Sequence, residues 1–301
     1  MNSFKSGFVS LVGRPNVGKS TLTNLFVGEK IAITSFKPQT TRNRIRGILT
    51  REDCQIVFID TPGLHRPKNR LGEFMAKNAE AAIREADVTL CLTEPKLTEG
   101  DKFAIDALRA ARAKSFLVIN KTDTVEREKL LALIDGYSKL YPFAEIFPVS
   151  ALKGDNTDAL LAAVINLLPE GPMYYPSDIA TDQPERQIVS ELIREKALLY
   201  LREEIPHGVA VEVTFMTKRK SSDIVDTEAT VFCEKDSHKS IVIGKNGETL
   251  KKIGTSARRD IESLLGSQIN LQLWVKIKKN WRDNDFLLKN FGYGMKSVNN
   301  E

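Results

Sequence analysis

Apolar runs of strand length recur five times in the first 170 residues, and longer segments with helical spacing separate them. The runs are Phe8–Val12, Gln55–Ile59, Val88–Leu92, Ser115–Ile119 and Ile146–Val149. Each segment between them is long enough for a crossover helix. This alternation predicts an α/β domain with a mostly parallel sheet flanked by helices.

The pattern changes after Leu168, where prolines and tyrosines accumulate as in a linker. We therefore predict a first domain over 1–175, a linker over 176–184 and a second domain over 185–301. The second domain shows a different order of elements, which predicts a smaller α+β fold. In order, the expected elements are a helix from Glu185 to about Glu204, strands at Val209–Met216, Val225–Cys233 and Ser240–Ile243, a helix to about Leu265, and a strand at Ile269–Ile277.

Composition excludes several classes of protein. No apolar run approaches the roughly 20 residues that a membrane-spanning helix needs, and the N-terminus has no signal-peptide architecture, so we expect a cytoplasmic protein. Cys54, Cys91 and Cys233 are widely separated and lie in no CxxC motif. They are expected to be reduced core thiols rather than disulfide partners or zinc ligands.

A phosphate-binding loop follows the first predicted strand. The residues from Gly13 to Ser20 read GRPNVGKS and fit GxxxxGK[ST], with a predicted helix after them. In such a loop backbone N–H groups cradle phosphate oxygens, Lys19 supplies positive charge, and the Ser20 hydroxyl ligates Mg²⁺. The alternative, a plain glycine-rich turn, would not explain the motifs that follow.

Three further motifs end later strands in a fixed order. Asp60-Thr61-Pro62-Gly63 places a carboxylate for Mg²⁺ and a glycine N–H for the γ-phosphate. Asn120-Lys121-Thr122-Asp123 places a carboxylate that accepts both N–H groups of the guanine edge, whereas adenine presents an acceptor at N1. Ser150-Ala151-Leu152 offers a backbone N–H to guanine O6. The predicted ligands are therefore GTP and GDP with Mg²⁺.

The polar stretch Pro38–Arg42 is the expected switch I, and we favour Thr41 over Thr40 as its Mg²⁺ ligand. The predicted metal ligands are Ser20, Thr41 and Asp60. The predicted catalytic residues are Lys19, Thr41, Asp60, Gly63 and Asn16. The predicted nucleotide contacts are Gly13, Arg14, Pro15, Asn16, Val17, Gly18, Lys19, Ser20, Thr21, Asp60, Thr61, Pro62, Gly63, Leu64, Asn120, Lys121, Asp123, Ser150, Ala151 and Leu152.

Leu64 stands where Ras-type proteins carry the glutamine that orients the attacking water. Slow intrinsic hydrolysis is therefore expected. A general-base role for the neighbouring His65 is set aside, because a lone histidine beside a mobile loop is usually a surface residue.

The second domain carries a GxxG loop, Gly244-Lys245-Asn246-Gly247, which we place between a strand and a helix. KH domains clamp single-stranded nucleic acid with such a loop, and the order of elements matches their type II arrangement. From Lys235 to Arg282 eleven Lys and Arg face four Asp and Glu, a net charge of +7, although the whole chain carries only +5. This basic segment favours RNA over a merely solvated helix face. The predicted RNA contacts are Ile241, Ile243, Gly244, Lys245, Asn246, Gly247, Lys251 and Lys252.

The four nucleotide motifs resemble those of the translation-factor-related GTPases. Together with PQTTR, SALKG and VIGKNGETLKKIG, they make nearly the whole chain resemble the Era family of bacterial GTPases, which join a GTPase domain to a C-terminal KH domain. The resemblance implies binding to the 3′ end of small-subunit rRNA and a role in assembly of the 30S subunit. It also implies that Asn16 helps to hold a K⁺ ion, as in GTPases with an apolar residue after the DxxG glycine.

Two positions depart from the family pattern. Asn43 stands where many relatives have histidine, and Thr93-Glu94 replaces an Asp-containing turn. We expect neither departure to touch the nucleotide contacts.

Three functions remain open on the sequence. In the leading one, GTP orders the switch loops and thereby controls RNA affinity. In the second, the chain is an RNA-binding assembly module in which the nucleotide is mainly regulatory. In the third, a signalling GTPase acts on proteins or membranes, although no lipidation motif is present. Loose association with the inner face of the cell membrane is left open, and a DNA partner is not expected.

Overall fold

A computed structural model of the chain describes residues 4–294. Its contacts divide these residues into two compact units. The first holds 4–34, 41–67 and 75–182, and the second holds 35–40, 68–74 and 183–294. None of the helices in the described range is both long enough and apolar enough to cross a bilayer.

The first unit is built on a six-stranded sheet with strand order β2-β3-β1-β4-β5-β6. β2 runs antiparallel to β3, and all other pairs are parallel. The predicted α/β fold with a mostly parallel sheet is confirmed, while the antiparallel edge strand β2 was not predicted. The strands are β1 (Lys5–Val12), β2 (Ile45–Thr50), β3 (Cys54–Asp60), β4 (Val88–Thr93), β5 (Ser115–Ile119) and β6 (Ile146–Pro148).

Helices cover both faces of this sheet, so its inner strands are buried on both sides. β3, β4 and β5 contain only buried residues, as expected for parallel strands between two helical layers. Successive residues of a strand point to opposite faces of the sheet. Leu90 belongs to the same hydrophobic cluster as Leu22 and Leu160, whereas Cys91 belongs to the cluster of Leu108 and Tyr137 on the other face. The helices are α1 (Lys19–Val27), α2 (Arg70–Glu85), α3 (Glu99–Ala111), α4 (Arg127–Ser138) and α5 (Thr157–Leu167).

The segment after α5, which the sequence suggests as a linker, is bonded to the first unit through residue 182. The buried Gln55 side chain accepts from the amides of Tyr174 at 2.7 Å and Tyr175 at 2.9 Å, and it donates to the Tyr175 carbonyl at 2.8 Å. Further along, the amide of Ile48 donates to the carbonyl of Ala180 at 2.8 Å. These bonds join a partly exposed segment to the buried Gln55 side chain and to strand β2.

The second unit contains a three-stranded sheet of order β7-β8-β9, in which β7 is antiparallel and β9 parallel to β8. The chain order is helix, strand, strand, helix, helix, strand, followed by a short helix. The elements are α6 (Glu185–Tyr200), β7 (Ala210–Lys218), β8 (Ile224–Cys233), α7 (Asp236–Ile243), α8 (Glu248–Leu265), β9 (Gln268–Ile277) and α9 (Asp285–Asn290).

One element of this unit was predicted wrongly, because Ser240–Ile243 is the last turn of helix α7 and not a strand. A run of four residues is too short for its periodicity to separate a strand from a helix. The helix begins at Asp236, whose carboxylate in the first turn suits the positive end of the helix dipole. The three cysteines are free and buried, as expected.

Replacing Gln55 by leucine should destabilise the chain, because the amides of Tyr174 and Tyr175 would lose their acceptor. A hydrogen bond contributes about 0.5–1.5 kcal/mol net, so we expect the loss of these two to lower the free energy of unfolding by about 1–3 kcal/mol. Urea unfolding measures this change, and limited proteolysis should show faster cleavage near residues 172–182. The control is Gln272→Leu at an exposed position of β9. Equal stability of the two variants would contradict the anchoring role of Gln55.

Candidate functional site

The predicted nucleotide motifs all lie at one edge of the first sheet. Parallel strands β1, β3, β4, β5 and β6 end at the same edge, and each is followed by one of the candidate loops or by Glu94. Ligands of open parallel sheets bind at this carboxyl edge. The fold therefore brings together residues that are up to 140 positions apart in the chain.

Lys19 is held inside the phosphate-binding loop at the start of α1. It is only 6% exposed, and its ammonium donates to the carbonyls of Gly13 at 3.2 Å and Arg14 at 3.1 Å. Burial lowers the pKa of Lys19 to about 8, and the nearby Asp60 carboxylate opposes that shift only partly. A bound phosphate would supply the negative charge that favours the protonated form.

Three side-chain oxygens meet beside Lys19. The Ser20 hydroxyl donates to Asp60 Oδ2 at 2.6 Å and lies 2.9 Å from Thr41 Oγ1. The hydroxyl of Thr40 instead donates to the carbonyl of Lys37 at 2.6 Å, so of the two threonines it is Thr41 that lies with Ser20.

Asp60 is fully buried in this cluster, and burial raises its pKa to about 6 against the opposing effect of Lys19. Its second oxygen, Oδ1, has no hydrogen-bond partner among the described residues. A buried carboxylate oxygen without a donor, next to two hydroxyls, fits a hard cation such as Mg²⁺, which prefers oxygen ligands.

The segment Thr61–Leu64 is fixed to the phosphate-binding loop. Thr61 donates its hydroxyl proton to the carbonyl of Leu11 at 2.6 Å, and the amide of Leu64 donates to the carbonyl of Gly13 at 2.9 Å. Pro62 and Gly63 are buried, and the Leu64 side chain is fully buried in the core. His65 lies beside this segment, with Nδ1 2.8 Å from the Gly63 carbonyl.

Asn120 connects two loops of the candidate guanine site. Its Nδ2 donates to the carbonyl of Val17 at 2.8 Å, and its Oδ1 accepts from the amide of Ala151 at 2.9 Å. Gly18 allows this close approach, because a β-carbon there would lie 2.2 Å from Asn120 Nδ2 and the backbone has φ +96°. The phosphate-binding loop and the 150–152 loop are thereby held in fixed register.

Asp123 is exposed and accepts a hydrogen bond from the Ser150 hydroxyl at 2.7 Å, which lowers its pKa. It is therefore an ionised acceptor at neutral pH. Lys121 donates to the carbonyl of Asn16 at 2.8 Å and so reaches back to the phosphate-binding loop. Leu152 ends this group of candidates with a side chain that is 82% exposed.

The expectation that Thr93-Glu94 lies apart from the candidate contacts was wrong for Glu94. Its carboxylate accepts hydrogen bonds from both Arg14 and Lys121. Sequence reasoning missed this residue although a signal existed. An acidic residue directly after a parallel strand must lie at the same edge as the other motifs.

The GxxG loop of the second unit joins helices α7 and α8, not a strand and a helix as predicted. Gly244 has φ 76° and ψ 175°, a conformation that is essentially restricted to glycine. A β-carbon at this position would lie 2.3 Å from the Thr249 hydroxyl and 2.8 Å from its amide. The two helices can therefore approach this closely only with glycine at the turn.

A groove of about 390 Å³ begins at the GxxG loop and runs along α8 and β9. It combines apolar side chains with basic and amide groups. Of the predicted RNA contacts only Gly247 and Lys251 line it; Ile241 is 49% exposed and, like Ile243, lies outside the lining. The sequence did not reveal the apolar wall, because β9 had not been placed beside α8. The lining residues are Gly247, Leu250, Lys251, Gly254, Thr255, Arg258, Ile269, Asn270, Leu271 and Leu273.

Two family models match different parts of the chain. Residues 8–121 match a model described as 50S ribosome-binding GTPase, and residues 204–282 match the KH domain model. The second match covers α7, the GxxG loop, α8 and β9.

Curated relatives and solved structures match over nearly the full length. GTPase Era of Clostridioides difficile is 56% identical over 97% of this chain and all of its own, and GTPase Era of Alkaliphilus metalliredigens is 52% identical over 97% and 99%. A variant of Aquifex aeolicus Era bound to GDP·AlF4⁻ superposes with a TM-score of 0.93 at 36% identity, covering 97% of this chain and all of that one.

An Era structure in complex with MgGDPNP and nucleotides 1506–1542 of 16S ribosomal RNA superposes with a TM-score of 0.94 at 37% identity, with the same coverage. The resemblance predicted from the motifs is thus confirmed by sequence and by structure. The chain belongs to the Era family of GTPases.

Proposed function

We propose that this chain is a GTP hydrolase that binds the 3′ end of 16S rRNA and assists assembly of the 30S subunit, with GTP controlling its affinity for RNA. The observation that carries the proposal is the match over 97% of the chain to an Era protein that holds MgGDPNP and nucleotides 1506–1542 of 16S rRNA. This chain has a candidate site for each of these two ligands, one in each unit.

The nucleotide phosphates would lie in the loop from Gly13 to Thr21. Backbone N–H groups at the start of α1 face this position, and the positive end of the helix dipole favours negative charge there. The buried ammonium of Lys19 has its place fixed by two carbonyls before any ligand arrives. This preorganisation lowers the cost of stabilising the charge that develops on the transferred phosphoryl group.

Ser20, Thr41 and Asp60 would hold Mg²⁺, which when bound neutralises charge on the β and γ phosphates. Their oxygens already lie within 2.9 Å of one another in the pairs given above. Thr41 belongs to the proposed switch I, so its contact with Ser20 links that segment to the metal position.

Hydrolysis without an activator should be slow, because the Leu64 side chain carries no hydrogen-bonding group that could orient water and is buried away from solvent. We propose that a K⁺ ion held with the help of Asn16 supplies positive charge near the phosphates instead. Asn16 lies in the phosphate-binding loop with φ 67°.

Hydrolysis should therefore be several-fold faster in KCl than in NaCl of the same ionic strength, because the smaller, more strongly hydrated Na⁺ replaces K⁺ poorly. Phosphate release at saturating GTP measures this dependence. Equal rates in the two salts would remove K⁺ from the mechanism and leave the nucleotide site itself untouched.

Exchanging Asp123 for asparagine should move base preference from guanine toward xanthine. An amide donates where a carboxylate accepts, and xanthine presents a carbonyl where guanine presents its 2-amino group. The loss of about 1–3 kcal/mol for GDP corresponds to a loss of affinity of about 5-fold to 150-fold. Competition binding with GDP and XDP measures it, with Asp135→Asn on the exposed face of α4 as control. Unchanged preference for GDP would show that this loop does not recognise the base.

The groove along α8 and β9 suits single-stranded RNA. Its apolar wall can receive the faces of unstacked bases, while Lys251 and Arg258 lie within reach of the phosphates. The net charge of +7 between residues 235 and 282 strengthens binding through release of counterions.

The decisive experiment measures binding of an RNA with the sequence of nucleotides 1506–1542, and of a scrambled RNA, in the presence of GDP or GDPNP. Selective binding that is tighter with GDPNP is expected. Gly244→Asp should abolish it through steric conflict with Thr249 and repulsion of phosphate, while hydrolysis persists. Lys251→Gln should weaken the binding of both RNAs alike and reduce the slope of log affinity against log salt concentration by about one.

Lys139→Gln, at the residue that follows α4, is the control for the lysine change, since that side chain is exposed and pairs with Asp135. Equal affinity for the RNA with GDP and with GDPNP would show that the nucleotide does not control RNA binding. It would favour an RNA-binding assembly module in which the nucleotide regulates some other step. Equal, weak binding of both RNAs would refute the rRNA assignment.

We further propose the domain limits 1–175 and 185–301, with 176–184 between them; the bonds at Ala180 and Asp182 tie part of this segment to the first unit. A cytoplasmic location is proposed on the same basis as the ribosomal partner. Association with the inner face of the membrane stays a proposal that cell fractionation tests.

A further inference from the structure

The carboxylate of Glu94 accepts hydrogen bonds from two of the candidate nucleotide-binding loops at once. It follows β4 directly, and Arg14 of the phosphate-binding loop and Lys121 of the Asn120–Asp123 loop both donate to it. The Glu94 side chain is 23% exposed, so these ion pairs are partly shielded from water. Such pairs are stronger than fully exposed ones.

Both cations make a second contact that leads to the phosphate-binding backbone. Lys121 donates to the carbonyl of Asn16 at 2.8 Å, and the carbonyl of Arg14 accepts from the Lys19 ammonium at 3.1 Å. Glu94 thus stands at the centre of a chain of contacts from Lys19 to Lys121. A shift of its carboxylate would move the two loops relative to each other.

A second carboxylate supports this arrangement from behind. Asp101, at the start of α3, lies 3.3 Å from Nε of Arg14 and accepts from the Thr93 hydroxyl at 2.8 Å. Asp101 also closes the capping box of α3 with Thr98. The guanidinium of Arg14 is therefore fixed by two acidic groups that belong to different elements.

Glu94 is ionised at neutral pH. Burial by itself would raise the pKa of its carboxyl group, but the hydrogen bonds from Lys121 and Arg14 outweigh burial and hold the pKa below its usual value. The bridge consequently keeps its charge at neutral pH.

We propose that Glu94 is a positioning residue that sets the spacing between the phosphate-binding loop and the base-recognition loop, and that it thereby supports guanine-nucleotide affinity and guanine selectivity. The inference rests on the proposed nucleotide site. Glu94 acts through Arg14 and Lys121 without touching the nucleotide. Asp123 lies two residues beyond Lys121, so displacement of Lys121 changes the position of the carboxylate that reads the base.

Glu94→Gln tests the role, because it keeps the size of the side chain and removes its charge. Affinities for GDP and for inosine diphosphate, which lacks the 2-amino group of guanine, are measured by calorimetry on the full chain. We expect GDP affinity to fall about tenfold, as is usual when a charge-assisted hydrogen bond is lost. The preference for GDP over inosine diphosphate should fall as well, since a misplaced Asp123 pairs poorly with the 2-amino group.

A matched control and a conservative variant separate positioning from general stability. Glu80 lies on α2, outside the candidate nucleotide-binding loops, and its Oε2 is 3.8 Å from Nη2 of Arg84. Glu80→Gln removes this acidic partner and should leave both affinities unchanged. Glu94→Asp keeps the charge but shortens the reach, and it should recover part of the selectivity. The melting temperature of Glu94→Gln should stay within about 4 °C of the wild type, because Arg14 keeps Asp101 and Lys121 keeps the Asn16 carbonyl as partners.

Two results would overturn the inference while leaving the nucleotide site intact. Glu94→Gln could bind both nucleotides as the wild type does, or it could lose affinity for both equally together with a large fall in melting temperature, which would indicate a structural role only. Failure of the site itself has a different signature. If Asp123→Asn left the ratio of the two affinities unchanged, the proposed site and this inference would both be refuted.

Discussion

The parallel pairing of β3, β1, β4, β5 and β6 is the constraint on which the first unit depends. Strands in parallel register end at one edge, so the loops after them must meet there. Helices on both faces bury the inner strands and leave the loops at this edge as the place where polar side chains converge. The candidate catalytic and specificity residues are consequently carried by short loops on a rigid scaffold.

The charges at this edge suit an anionic ligand together with a cation. Lys19 and Asp60 are both buried, and burial disfavours the charged form of each. It lowers the pKa of Lys19 to about 8 and raises the pKa of Asp60 to about 6. Bound phosphate and Mg²⁺ would offset the cost of burying these groups, so ligand binding should also stabilise the folded chain. The ion pairs of Glu94 are less buried, and their effect is to fix the loops.

In the second unit, as at Gly18 in the first, a glycine allows two segments to approach closely. Gly244 turns the chain between α7 and α8, and Gly247 opens the groove whose other wall is β9. The groove is lined by half-buried leucine side chains and the buried Ile269, next to basic residues. This combination is what contact with unstacked bases and phosphates requires.

The fold class, the nucleotide motifs, the GxxG loop and the family can be read from the amino-acid sequence, because these depend on periodicity and on residue types at fixed local spacing. The folded chain was needed to show that Ser240–Ile243 is helical, that Leu271 and Leu273 rather than Ile241 line the groove, and that Glu94 joins two loops. Each of these depends on contacts between residues distant in the chain, or on a run too short to show a period. Pairing partners of that kind leave no local pattern, whereas a motif such as GRPNVGKS carries its geometry within eight consecutive residues.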